Sequence, residues 1–111
     1  MINGKELLEE AESLKQELTQ KRRFLHSNPE TEFNLRKTIE FVRTELIKMG
    51  YEPINCGKAG LIAIAGGKKR GKTFLIRGDM DALPIKEESG LEFASQNGLF
   101  TRWRRKYKNR R

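Results

Sequence analysis

The spacing of apolar residues changes at Gly50, and this change constrains the fold more than any other feature of the chain. Before Gly50, apolar residues recur every three or four positions, which is the period of a helix with one buried face. The first stripe comprises Leu7, Ala11, Leu14, Leu18 and Leu25, and the second comprises Leu35, Ile39, Val42, Leu46 and Met49. After Gly50, short β-prone runs replace this period. The pattern predicts an α/β fold in which two N-terminal helices pack on a small β-sheet with a hairpin.

Capping residues set the bounds of the two predicted helices. The first helix covers residues 4–27, because Asn3 and Glu6 stand at the spacing of a capping box. Asn28 is a candidate cap for the second helix, and Pro29 fits its first turn. Gly50 fits a C-terminal cap, so the second helix is predicted to end near residue 49.

Three runs after Gly50 are predicted to be strands: 51–56, 61–65 and 73–77. The glycine-rich, basic stretch 66–72 separates the last two, which predicts a hairpin around it. Pro84 is predicted to end the strand region, because proline cannot donate to a sheet. Residues 85–97 are predicted to be loop.

Charge is distributed unevenly along the 111 residues, whose net charge is +8. Residues 98–111 contain seven of the 23 basic residues and no acidic one, so residues 1–97 carry only +1. A single cysteine, Cys56, excludes a disulfide within the chain and fits a reducing, cytoplasmic setting. No secretory leader and no membrane-spanning run is expected, and no membrane partner.

Residues 66–73 match the phosphate-binding pattern G-x-x-x-x-G-K-[ST]. That site requires a helix directly after the glycine-rich loop. Here a β-prone run follows, so a basic turn is favoured over a nucleotide site.

An ordered series of short segments resembles a known enzyme family. The segments are Arg22–Glu30, Gly60–Ala63, Arg77–Ile85 and Phe93–Ser95, and the most specific of them reads Arg-Gly-Asp-Met-Asp-Ala-Leu-Pro. Over about residues 12–97 the chain is similar to the N-terminal region of the aminoacylase and carboxypeptidase metallopeptidases. The most similar branch is the N-acyl-amino-acid amidohydrolases, which includes the hippurate hydrolases.

This resemblance implies a larger zinc-peptidase-like catalytic domain, of which the chain is the N-terminal fragment. It also implies hydrolysis of an amide bond in a small N-acyl amino acid or peptide. Two zinc or manganese ions in such enzymes activate water beside a carboxylate base. The resemblance further implies that full-length relatives carry an inserted smaller domain, which is often used for dimerisation. The oligomeric state of this chain is left open by the sequence.

The resemblance fails after Asn97, where a segment with a Cys and a His for the metals is expected. The chain instead continues into the basic residues 98–111, and no Cys or His follows position 56. We therefore expect a truncated, inactive chain without a cofactor, whose tail is disordered and arises from a frameshift or truncation. The alternative is a small basic module that binds nucleic acid through Trp103 and Tyr107 among the tail cations.

Asp79 and Asp81 are the candidate site residues. They alternate along an extended run, so they face opposite sides and do not both bind one metal. The resemblance implies a supporting role for them, with Asp81 orienting a metal ligand. His26 and Cys56 are expected to be structural, since one histidine and one distant cysteine make no zinc site.

Overall fold

A computed structural model describes residues 3–95 and the backbone of residues 99–101. In this part of the chain there are three helices: α1 (Gly4–Ser13), α2 (Lys15–Ser27) and α3 (Arg36–Lys48). The strands are β1 (Ile54–Cys56), β2 (Gly60–Ile62), β3 (Ala82–Lys86) and β4 (Leu99–Thr101). The α/β prediction is confirmed.

The predicted first helix is divided in two at Leu14. Its N-terminus is as predicted, because the Glu6 amide donates to the Asn3 side chain over 2.9 Å and the Glu6 carboxylate accepts from the Asn3 amide. At the division, the Ser13 hydroxyl donates to the Glu10 carbonyl over 2.6 Å. Such local bonds compete with the helical ladder, which accounts for a break that apolar spacing does not reveal.

The predicted start of the second helix at Pro29 is wrong, since α3 begins at Arg36. The Glu30 carboxylate explains the shift: it accepts from the Thr38 amide over 2.5 Å and from the Thr38 hydroxyl over 2.8 Å. An acidic side chain from outside the helix thereby satisfies an amide of its first turn. The predicted C-terminal cap is confirmed, because Gly50 has φ +91 and its amide donates to the Ile47 carbonyl.

The hairpin lies earlier in the chain than predicted. β1 and β2 pair antiparallel, with Ile54 opposite Ile62 and Cys56 opposite Gly60. A Cβ atom at Gly60 would lie 2.6 Å from the Cys56 carbonyl oxygen, so this tight turn requires glycine. Cys56 is exposed rather than buried as a small core residue, because these three-residue strands leave both faces of the hairpin largely uncovered.

The predicted strands 61–65 and 73–77 are not formed as such: β2 ends at Ile62, and no strand occurs between residues 63 and 81. Every residue from 62 to 79 is exposed. Within the described ranges no backbone–backbone hydrogen bond involves residues 73–77. A β-prone run needs a neighbouring strand to pair with, and this part of the chain supplies none.

Pro84 does not end the strand region, because it lies inside β3. Residues 85 and 86, which were predicted to be loop, also belong to that strand. β3 pairs antiparallel with β4, and the register shifts between Leu83 and Lys86. Proline is tolerated at such irregular points because no ladder bond is required of it. β4 is formed by the first residues of the tail for which disorder was predicted, while residues 102–111 lie outside the described part.

The buried residues are His26, Pro29, Leu35, Thr38 and Ala82. They all lie in one region, which we call the junction and define as residues 26–38 together with 82–95. Large apolar side chains of the described residues are exposed, among them Leu7 at 53%, Phe33 at 66% and Ile64 at 80%. Much apolar surface therefore remains uncovered, and the junction is the main packed part of the described structure.

Candidate functional site at the junction

The junction is organised around the Glu87 carboxylate. One carboxylate oxygen lies 2.6 Å from His26 Nε2 and accepts from the Ser89 hydroxyl over 2.5 Å. The other oxygen accepts from the Ser95 amide, also over 2.5 Å. The side chains of His26 and Glu87 are only 4% and 2% exposed. A buried carboxylate is stable only when its oxygens are satisfied, and here three donors satisfy them.

Two opposing effects act on the pKa of the Glu87 carboxyl. Burial raises the pKa, whereas hydrogen bonds from Ser89, His26 and the Ser95 backbone lower it. The hydrogen bonds prevail, so the pKa lies below its ordinary value and Glu87 is ionised at neutral pH. Because an ionised carboxylate only accepts, His26 Nε2 carries the proton in their shared hydrogen bond.

Aromatic and cationic side chains pack against this buried pair. The Phe93 ring meets the His26 ring edge to face, with centroids 5.3 Å apart. The Arg23 guanidinium lies 4.6 Å from the centre of the Phe93 ring, and that of Arg22 lies 5.7 Å from it. These contacts attach residues 87–95 to the last turns of α2.

A second set of contacts brings the segment before β3 into the junction. The Ala82 amide donates to the Glu30 carbonyl over 2.6 Å, and Ala82 forms a parallel bridge with Thr31. The same Glu30 caps α3 through its carboxylate. Glu30 therefore connects α3 to the entry of β3 and positions the residues that precede Ala82.

The two predicted site residues lie at the edge of the junction and differ in environment. Asp81 is half-buried and directly precedes buried Ala82. Asp79 forms an ion pair with Arg77 over 2.9 Å, and the Arg77 side chain is 80% exposed. Asp81 is thus held close to packed structure, whereas Asp79 belongs to the exposed stretch.

Curated proteins named as amidohydrolases, deacetylases and carboxypeptidases match this chain. The chain is 44% identical over 77 residues to an N-acyl-L-amino acid amidohydrolase of Geobacillus stearothermophilus, covering 68% of this chain and 21% of that protein. It is 40% identical over 88 residues to an N-acetyldiaminopimelate deacetylase of Oenococcus oeni, covering 74% and 23%. Proteins named as carboxypeptidases match in the same range.

Over part of their length, proteins named as amidohydrolases and deacetylases are similar in sequence to this chain. It spans about a fifth of the length of the curated relatives it matches. One relative has a different name, a putative glutamate–cysteine ligase of Rhodococcus jostii, which is 38% identical over 79% of this chain and 11% of its own length. No family model and no solved structure matches.

The described residues do not fit the metal pair that such enzymes are expected to hold. No group of three or more His, Cys, Asp or Glu side chains in residues 3–95 is arranged to bind a metal ion. His26 is buried against Glu87, and Cys56 lies on the exposed hairpin. We therefore derive no catalytic step through a metal from these residues.

The structure also bears on the predictions about the phosphate-binding pattern and about a membrane-spanning helix. No helix follows Thr73 in residues 74–95, so the structural context of a phosphate-binding loop is absent from residues 66–81. None of the helices that the structure describes is long and apolar enough to cross a membrane. Trp103, Tyr107 and the basic residues around them lie outside the described residues, and nucleic-acid binding through them stays a prediction.

Sequence reasoning missed Glu87 and Glu30, the two carboxylates that organise the junction. Glu87 meets His26 across 61 positions of sequence. No motif or spacing in a single sequence marks such a pair. For Glu30 a signal existed, since an acidic residue a few positions before a helix is a candidate for its N-terminus.

Proposed function

We propose that this chain forms part of the scaffold of an amidohydrolase-type catalytic domain, and that these 111 residues alone do not hydrolyse amides. The proposal is supported by the homology to N-acyl-amino-acid amidohydrolases and deacetylases. The observation that carries it is the environment of the only histidine. His26 is 3% exposed and bonded to Glu87, so a metal ion reaches its Nε2 only if the junction opens.

Within this scaffold the junction positions the strand entry that carries the candidate carboxylates. Glu30 holds Ala82 through the backbone, and Asp81 directly precedes it. We propose that Asp81 orients a metal ligand in the complete catalytic domain, which is a supporting role. Asp79, paired with exposed Arg77, is expected to contribute less.

Inactivity is tested on the purified 111-residue chain with zinc or manganese added. Metal content after dialysis and hydrolysis of an N-acyl amino acid are measured in parallel. The proposal predicts no retained metal and no turnover above that of metal in buffer. Stoichiometric metal together with turnover would overturn it.

The scaffold role is tested in a chimera of the Geobacillus stearothermophilus relative. Its 77 matched residues are replaced by the corresponding residues of this chain. We expect a folded chimera that retains hydrolysis of N-acyl amino acids. A chimera that folds and binds metal but has no activity would contradict the proposal.

The same chimera separates the two carboxylates. Asp81→Ala is expected to lower kcat or metal affinity by about 10- to 100-fold, as removal of a residue that orients a metal ligand does. Asp79→Ala is the matched control and is expected to have a smaller effect. Equal effects of the two substitutions would remove the distinction between Asp81 and Asp79.

A further inference from the structure

Residues 3–18, which we call the arm, are exposed on every side of the helix. The arm comprises α1 and the start of α2, and each of its residues is exposed. Leu7, Leu14 and Leu18 of its apolar stripe are each about half exposed. A helix as short as α1 is marginal in water unless one face is packed against something. The arm therefore has an apolar face that the described residues leave largely uncovered.

The charge of the arm selects the chemistry of a segment that could cover this face. The arm contains five acidic and two basic residues, a net charge of −3. Counting Lys21, which pairs with Glu17, still leaves −2. Helical geometry places Glu6, Glu10 and Glu17 along one side of the apolar stripe. Two arms would repel each other, so the fitting occupant is basic and carries apolar side chains.

One segment of this chain outside the described residues has that composition. Residues 102–111 contain seven basic residues and no acidic one, together with Trp103 and Tyr107. These two aromatic residues are four positions apart, and residues at this spacing share a face in a helix and in a strand. The other basic stretch, residues 66–72, is exposed and does not cover the arm within the described chain.

The segment also starts close enough to reach the arm. β4 ends at Thr101 and lies beside α2. Leu18 is about 14 Å along the helix from the end of α2, and Leu7 is at most about 30 Å from it. Ten extended residues cover about 33 Å, so residues 102–111 can span this distance within one chain.

We propose that residues 102–111 bind along the arm of the same chain. Trp103 and Tyr107 pack against the apolar stripe, and the basic residues lie beside Glu6, Glu10 and Glu17. The contact shields the exposed leucines and offsets the acidic charge of the arm. It is independent of the proposed catalytic scaffold, since it involves neither a metal nor a substrate.

Fluorescence of Trp103 tests the contact directly, because it is the only tryptophan in the chain. Acrylamide quenching and the emission maximum are measured on the full chain at dilutions where sedimentation velocity shows monomer. We expect weaker quenching and a shorter emission wavelength than for free N-acetyltryptophanamide. Trp103 as accessible as the free compound, or protected only in an oligomer, overturns the proposal.

Charge reversal on α1 identifies the face that is bound. Glu10→Lys is expected to increase the quenching of Trp103, because it reverses a charge beside the apolar stripe. Glu9→Lys is the matched control, since it makes the same change on the opposite side of the helix. High salt should also increase the quenching in the unaltered chain. Equal effects of the two substitutions overturn the proposal.

The apolar part of the contact is tested by Leu18→Asp, which should increase quenching and shift the emission to longer wavelength. Far-UV circular dichroism of each variant establishes that the helices are retained. Protection of Trp103 that neither Glu10→Lys nor Leu18→Asp reduces would mean that it packs elsewhere, and would overturn the proposal.

Discussion

The junction buries polar side chains, whereas residues 73–77 expose apolar ones. In the junction the side chains of His26 and Glu87, both polar, are nearly inaccessible to solvent. In the second region Phe74, Leu75 and Ile76 are almost fully exposed. The difference shows that burial here depends on whether a residue's partners are present. The described chain contains donors for Glu87, whereas it contains no strand to pair with residues 73–77.

This comparison predicts that stability depends on the junction. Glu87→Ala removes the carboxylate that accepts hydrogen bonds from His26, the Ser89 hydroxyl and the Ser95 amide. We expect a loss of about 3 kcal/mol in the free energy of unfolding, as is typical when a buried hydrogen-bonded charge is removed. Urea unfolding followed by circular dichroism measures it. The matched control is Glu88→Ala at the neighbouring exposed position; an equal loss there would refute the special role of Glu87.

Acid should weaken the junction through the same carboxylate. The pKa of Glu87 is lower in the folded chain than the ordinary value of 4.5. The resulting stabilisation is complete above the unfolded pKa and is lost as pH falls through the folded pKa. Unfolding measured between pH 6 and pH 3 should show this loss, and Glu87→Gln should remove that part of the pH dependence. An unchanged pH profile in the variant would argue against it.

Glu30→Gln tests the cap of α3. The amide side chain still accepts one hydrogen bond but loses the charge that favours a helix N-terminus. We expect a cost of about 1 kcal/mol, measured by thermal unfolding, with reduced amide protection in the first turn of α3. Glu32→Gln, an exposed neighbour with positive φ, is the control. Unchanged protection at Thr38 would contradict the cap.

The smallest effect is expected at the surface contact between α2 and α3. Lys21 lies 2.7 Å from Glu17 and 2.9 Å from Glu45. The hydrogen bonds that Lys21 donates to these carboxylates raise the pKa of Lys21, and its bond to Glu45 lowers the pKa of Glu45. The stabilisation should therefore be complete between about pH 4.5 and pH 10.5. It should be lost as pH falls through the folded pKa of Glu45 or rises through the folded pKa of Lys21. Lys21→Gln should lower Tm slightly at low salt and not at high salt, with Lys15→Gln as control.

Local signals in the sequence predicted the start of α1 and the end of α3, because caps act over a few residues. They did not reveal the division at Leu14 or the start of α3 at Arg36. Asn3 with Glu6 and the cap at Gly50 were both found in this way. The strands at 61–65 and 73–77 were predicted from propensity, but a strand also needs a partner that propensity does not supply. The contact between His26 and Glu87 joins distant parts of the sequence, so no local pattern could reveal it. For Asp79 and Asp81 the supporting role stays a prediction.

The most direct test of the contrast between the two regions replaces Phe74, Leu75 and Ile76 together by serine. Urea unfolding is measured at dilutions where sedimentation shows monomer. If the junction alone stabilises the monomer, the free energy of unfolding should change by no more than about 0.5 kcal/mol, as for surface substitutions. A loss of several kcal/mol, as when core side chains are truncated, would show that these residues are packed and would contradict the account.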